Sequence, residues 1–198
     1  MATAARSDQI RAAALEALYD RGYDAMSLRD IARDVGMKAP SLYNYFPSKQ
    51  NLLFELFTAV MVALIEQTEA AVAAAEDRSA QGRLREAVRA FVLFNTRNPH
   101  EAAVSDAGFK ALTLENRDRI VGLRDRFEHQ FTKLLEEGRD SGEFVVNDIS
   151  VIRNTLLSGC ARIYFWYRPD GARLPEEVAE LISNYLIAGL LKRSEEEQ

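Results

Sequence analysis

Between Lys38 and Lys49 the chain reads KAPSLYNYFPSK, which crowds two tyrosines, a phenylalanine, two serines and two prolines between a pair of lysines. Hydroxyls, an amide, aromatic faces and ammonium groups are the groups that meet phosphate oxygens and base edges. On a helix entered at Pro40, a residue tolerated in a first turn, Leu42, Tyr45 and Phe46 fall on one stripe. Pro40, Ser41, Tyr43 and Asn44 fall on the other side. The spacing predicts an anchoring face and an offered face, with Lys38 beside the helix start and Lys49 just past its end.

A second group of candidates lies near the C-terminus, in SGCARIYFWYRPDG. Arg162 and Trp166 are four residues apart, hence on one face of a continuous helix, with Tyr164 and Phe165 beside them. A guanidinium on so apolar a helix needs a partner, because an unpaired buried charge is costly. Two partners fit: an internal carboxylate such as Glu128 or Asp125, or an anionic ligand for which Trp166 supplies a flat wall. Phe91, Phe94, Phe109, Phe127 and Phe131 are the aromatic groups available to line a cavity there.

Catalytic chemistry finds no foothold. His100 and His129 are the only histidines and belong to no metal-ligand spacing, and there is no Gly-rich phosphate loop, nucleophile elbow or Cys/His pair. We expect no enzyme, no metal and no cofactor. His100 reads as a helix-start residue, and Cys160, the single cysteine, as a small buried hydrophobe that suits a reducing cytoplasm.

The elements that must carry these groups are helices. Gly and Pro are sparse, at 10 and 5 in 198 residues, while 47% of residues are hydrophobic, so the expected class is all-α. Ile10, Ala14, Ala17 and Leu18 repeat at helical spacing and stop at Gly22. Ser27, followed by Asp30, caps a second helix ending at Gly36; Pro40 opens a third, running to about Phe46. Two short helices joined by a Gly turn form the helix-turn-helix pattern. Ser48 caps a long fourth helix, Lys49 to about Glu76. Further helices are expected at 83–97, 100–112, 116–140, 149–167 and 175–193, followed by a solvated acidic tail, Glu195 to Glu197. The expected division is a three-helix DNA-binding domain over 1–50 and a helical domain for ligand binding and dimerisation over 51–198.

Net charge is −5, but residues 1–50 carry +1 and the acidic excess lies beyond them, so the first segment is free to meet a polyanion. The start MATAARSDQI has no apolar run of a signal sequence, and no window is expected to be apolar over the length of a bilayer span. A soluble, cytoplasmic protein is the expectation. The last two expected helices are rich in apolar residues, including Ile152, Leu156, Leu181 and Tyr185. They either complete a monomeric core or bury themselves against a second copy; a C2 four-helix interface is the expected outcome.

The run IRAAALEALYDRGYDAMSLRDIARDVGMKAPSLYNYFPSKQNLL, about the first quarter of the chain, resembles the tetracycline-repressor (TetR) family of bacterial regulators. The likeness lies in an ordered set of features. These are a Gly-Tyr loop, a capped R-D-I-A helix, a Val-Gly turn, Leu-Tyr-x-x-Phe, and Ser-Lys opening the next helix. It implies a dimeric all-helical repressor on a palindromic operator, released when a small molecule binds the C-terminal domain. By the same resemblance Ser27 meets a phosphate and Arg29 reaches the groove. Ala39, Pro40, Ser41, Tyr43 and Tyr45 lie against DNA, and Lys49 clamps the backbone. Relatives often carry Ser or Thr where Lys38 stands, so the third helix must be capped from elsewhere.

The stretch WYRPDGARLPEEVA is similar to the C-terminal region of TetR regulators that answer to acyl-coenzyme A thioesters, among them repressors of fatty-acid and sterol-ring degradation. That implies an acyl or fused-ring group against Trp166 and a polar part of the thioester on Arg162. The alternatives are a neutral lipophilic effector, as in efflux regulators, and a helical adaptor that binds no DNA.

Overall fold

The computed structural model describes residues 2–191, and within them the side chains of all but residues 2–4, 106 and 107. Among the described residues the chain is helical, with one isolated antiparallel bridge between Phe144 and Leu191 and no strand. The end of the last expected helix and the tail Glu195 to Glu197 lie outside the described residues. The chain divides into two compact units: residues up to 62 pack with residues 100–123, and residues 63–99 pack with those from 124 onward.

In the first unit, α1 (Ala2–Ala25) bends at Gly22, whose φ of 73° and ψ of 171° end the regular helix where the sequence pattern stops. α2 (Leu28–Asp34) is entered through extended Ser27, whose Oγ accepts the Arg29 N–H at 3.2 Å. It closes on Gly36 at φ 67°. There the Gly36 N–H reaches the Arg33 carbonyl at 3.0 Å and the Met37 N–H reaches the Ala32 carbonyl at 2.7 Å, a Schellman closure that needs the left-handed glycine. α3 (Ala39–Tyr43) has Lys38 at its N-cap with no side-chain capping bond. It stops earlier than the expected Phe46, because Pro47 disfavours helical backbone at the residue before it.

α4 (Lys49–Ala74) begins at Ser48, whose Oγ accepts the Asn51 N–H at 3.0 Å. Ile10, Ile31, Leu42, Leu52 and Leu53 are wholly buried in one cluster with Phe46 and Phe57. α6 (Pro99–Ala107), a 3₁₀ turn (Gly108–Ala111) and the first part of α7 (Leu114–Asp140) add Val104, Leu112 and Ile120 to that cluster. The compact units therefore differ from a division at residue 50. The start of α4 and residues 100–123 bury their apolar side chains with the N-terminal helices.

The second unit contains α5 (Ala80–Arg97), α8 (Ile149–Ala161), α9 (Ile163–Trp166) and α10 (Pro175–Ala188), with the remaining parts of α4 and α7. α10 lies close against α5, and its buried side consists of Val178, Ala179, Ser183 and Ile187, two of them small enough to let helix axes approach. Arg97 and Glu176 form an ion pair between these two helices. The start of α5 is held by Ser79 Oγ, which accepts the Gly82 N–H at 3.0 Å, and by the Glu143 carboxylate, which accepts the N–H groups of Ala80 at 3.3 Å and Gln81 at 2.9 Å.

Two expectations are corrected. The helix over 149–167 is not continuous: Arg162, at φ −93° and ψ 8°, separates α8 from α9. The β-branched and aromatic run Ile163 to Tyr167, ending ahead of Pro169, has weak helix propensity. In addition, α4 is long and apolar enough, by length and composition, to cross a membrane, with a mean hydropathy of 1.5 in its most apolar window. A third of that window is buried within the protein, where Leu52, Leu53, Leu56 and Phe57 belong to the first unit's core.

Candidate nucleic-acid interface

The turn after α1, the start of α2, the end of α3 and the start of α4 surround an open cleft of about 560 Å³. Its lining includes Ser27, Arg29, Tyr43, Pro47, Ser48 and Lys49. Four of the expected DNA-binding residues are thus brought to one place although they span 23 positions of sequence. Each is held there for a local reason. Ser27 is a helix cap, Arg29 stands exposed on the first turn of α2, and Tyr43 is 45% exposed on the far side of α3 from buried Leu42. Ser48 and Lys49, at the start of α4, also stand at this edge, and the N-terminus of a helix favours an anion.

The other candidates distribute around it. Lys38, Pro40, Ser41 and Asn44 are exposed, Ala39 is half-buried, and Tyr45 is half-buried against the core cluster rather than offered outward. Lys49 is not a free cation. Its Nζ donates to the Asp24 carbonyl at 3.2 Å and stands 4.2 Å from the centroid of the Tyr23 ring. Tyr23 and Gln50 were missed as parts of this site. Tyr23 belongs to the Gly-Tyr loop and carried a signal as an aromatic residue beside a glycine, but nothing in the local pattern singles out Gln50.

The expected effector residues part company. Phe91, Phe127 and Phe131 form a buried edge-to-face cluster in the second unit, with centroids 4.9 Å apart for Phe91 and Phe127 and 5.1 Å for Phe127 and Phe131. Phe94 is buried on α5. Phe109 belongs to the first unit instead, 6.4 Å from Phe57 and beneath the Arg117 guanidinium. Arg162 and Trp166 are exposed, Trp166 by 55%, because the break at Arg162 ends the helix that was to hold them on one buried face. Glu128, one expected carboxylate partner, pairs with Arg153 at 3.4 Å. Burial pushes the Cys160 thiol up to about 12, which keeps it protonated and inert. His100 stacks on Tyr19 with centroids 4.1 Å apart, and His129 is exposed.

Residues 10–56 match the family described as bacterial regulatory proteins, tetR family, and residues 77–190, more than half of the chain, match the tetracyclin repressor-like C-terminal domain. The chain belongs to the TetR family. It is a transcriptional regulator with a helix-turn-helix DNA-binding domain, and the family is one of regulators, not of enzymes. The HTH-type transcriptional repressor KstR2 of Mycobacterium tuberculosis is 25% identical to this TetR regulator over 177 residues, 87% of this chain and 86% of that protein. A solved structure described as the ketosteroid transcriptional regulator KstR2 superimposes with a TM-score of 0.85 at 20% identity, over 95% of this chain and 96% of that one. The nucleoid occlusion factor SlmA of Haemophilus influenzae is 25% identical over 175 residues, 85% of this chain and 78% of that protein. The crystal structure of AibR in complex with isovaleryl coenzyme A and operator DNA matches with a TM-score of 0.81 at 26% identity, over 94% of this chain and 98% of that one.

The C-terminal helices of this TetR regulator carry a second feature. Val151 on α8, Phe165 and Trp166 on α9, Leu174 before α10, and Leu181 and Tyr185 on α10 are all more than half exposed.

Proposed function

We propose that the protein is a dimeric, ligand-responsive repressor that occupies a palindromic operator and leaves it when an acyl-coenzyme A thioester binds its second unit. The observation that carries the DNA-binding part is the cleft that joins Ser27, Arg29, Tyr43 and Lys49 beside an α3 whose Pro40, Ser41 and Asn44 are exposed. Hydroxyls and cations converge there, as phosphate and base edges require. α3 is short, so one copy has little affinity. Two copies reach successive major grooves, and a second copy is the occupant assigned to the apolar face of α8, α9 and α10.

The acyl-coenzyme A assignment is supported by the likeness to AibR, solved in complex with isovaleryl coenzyme A and operator DNA, and to KstR2, described as a ketosteroid regulator. The acyl group is assigned to the aromatic cluster of Phe91, Phe127 and Phe131, with Phe94 buried on the same helix as Phe91. Arg162 is assigned to the polar part of the thioester, and Trp166 to a flat wall against its acyl group. Release requires that the ligand prefer the DNA-free state; equal affinity for both states shifts nothing. Such a protein acts in the cytoplasm.

The test is a gel shift of the full chain on the region upstream of its own gene, with isovaleryl-CoA, a longer acyl-CoA and an uncharged lipophile added in parallel. Loss of the shifted band with acyl-CoA alone is expected. Release by the uncharged lipophile alone would move the protein to the efflux-type regulators. A folded dimer that shifts no DNA would make it an adaptor.

A further inference from the structure

Lys49, a phosphate-binding residue in the proposed function, is already fixed before any DNA arrives. Its ammonium is held by the Asp24 carbonyl at 3.2 Å and by the face of Tyr23 at 4.2 Å. Tyr23 is in turn fixed by its hydroxyl, which accepts from Gln50 Nε2 at 2.6 Å. The same nitrogen donates to the Ala111 carbonyl at 2.6 Å, and Gln50 Oε1 accepts the Thr113 N–H at 3.1 Å.

That arrangement leaves the amide no choice of orientation. A backbone carbonyl on one side and a backbone N–H on the other dictate which end of the group faces which, and both of its N–H donors are used. Gln50 is adjacent to Lys49 on α4, yet it is clamped by residues 61 and 63 positions further along the chain. A lysine side chain loses much rotamer freedom on being pinned to a phosphate. A lysine held on a ring face has lost it in advance, so its contact is stronger for the same geometry.

We propose that Gln50 is a positioning residue for DNA binding. Clamped by the turn at residues 111–113, it holds the Tyr23 ring under the Lys49 ammonium, and the place of that turn sets the strength of the Lys49 phosphate contact. This inference rests on the assignment of Lys49 to a phosphate. It adds a control point, since a displacement of the segment that links the 3₁₀ turn to α7 is transmitted to a DNA-binding cation through one side chain.

The experiment compares the native chain with Lys49→Ala, Gln50→Leu, the double variant and Tyr23→Phe. Binding is read by anisotropy on a labelled duplex from upstream of its own gene, at salt from about 50 to 300 mM, below the melting point of each variant. Lys49→Ala is expected to weaken binding about tenfold and to lower the log–log salt slope by about two per dimer. Gln50→Leu is expected to reproduce part of both changes, about fivefold in affinity, and to make the added Lys49→Ala change nearly silent. Tyr23→Phe keeps the ring and removes only the acceptor for Gln50, and is expected to weaken binding about twofold.

A folded Gln50→Leu protein with native affinity and native salt slope, beside a weakened Lys49→Ala, would confine Gln50 to stability and overturn the proposal. A native slope in Lys49→Ala would remove the Lys49 assignment instead. Should Gln50→Leu not fold, native affinity and slope in Tyr23→Phe would overturn the proposal alone.

Discussion

Leu42 and Tyr43 are neighbours on α3, yet the structure assigns them opposite consequences. Leu42 is wholly buried in the first unit's core and Tyr43 is 45% exposed. α3 has five residues and no side-chain cap, so it has no means of holding itself helical apart from the side chains it buries. Truncating a fully buried leucine removes its transfer free energy and leaves a cavity, about 3 kcal/mol together. With a urea dependence of about 2 kcal/mol/M, Leu42→Ala lowers the denaturation midpoint by about 1.5 M. Because the loss falls on the element that presents Ser41 and Asn44, operator binding falls as well.

Tyr43→Ala leaves the midpoint within about 0.5 kcal/mol of native, as exposed substitutions do, and weakens operator binding by about tenfold. Circular dichroism in urea and anisotropy on the same preparations separate the two effects. The reasoning is refuted if Tyr43→Ala lowers the midpoint as Leu42→Ala does, or if Leu42→Ala leaves both stability and binding intact.

Two further outcomes follow from geometry in the second unit. Gly138 lies within α7, where alanine is the better helix former by about 1 kcal/mol. An added Cβ there stands 2.0 Å from Cδ2 of Phe144, a ring that is only 3% exposed. Overpacking costs about 1–3 kcal/mol, so Gly138→Ala destabilises on balance, and a raised urea midpoint would show that the ring yields freely. The Glu143 carboxyl is held below its ordinary value of 4.5, first by the Gln81 N–H and then by the Ala80 N–H and the Ser141 hydroxyl. Its contribution is therefore complete above pH 4.5 and is lost as pH falls through the lower folded value. Glu143→Gln is expected to flatten the acid limb of a stability-against-pH curve, and an unchanged limb would contradict the capping role.

The parts of this molecule written in local chemistry were legible. Ser27 and Ser48 cap the helices they precede, Gly22 and Gly36 take the positive φ that ends a helix, and Leu42 and Phe46 point inward while Ser41 and Asn44 face out. Each of these follows from residues within four or five positions of one another. What was not legible depends on partners distant in sequence. The Gln50 amide is tied to Ala111 and Thr113, and Phe109, placed by its number among the effector residues, packs on Phe57. The spacing of Arg162 and Trp166 does not put them on one face, because a common face requires a helix continuous through Arg162, where the backbone leaves helical geometry.

Charge in the reading head can be followed cation by cation. Of the seven Lys and Arg in residues 1–50, Arg11 pairs with Asp8 at 2.9 Å, Arg21 with Asp34 at 3.7 Å and Arg33 with Asp30 at 2.8 Å. Arg6 is in no ion pair either, donating to the neutral Gln9 amide on the start of α1, but it is not among the cleft residues. Arg29, Lys38 and Lys49 remain, and none of them is in an ion pair among the described residues; Arg29 and Lys49 line the cleft itself. On the proposed interface these three cations per subunit meet six phosphates per dimer, and a log–log salt slope of about −5 is expected.

On the same proposal the rest of the affinity is expected from Ser41, Tyr43 and backbone N–H groups, whose contacts salt does not screen. A slope steeper than about −10 per dimer would mean that the paired arginines break their bridges to reach DNA, or that cations outside the cleft take part. Either outcome would move the interface away from the residues named here. Measured at matched pH between 50 and 300 mM salt, the slope thus decides whether the cleft is the whole contact surface or only its centre.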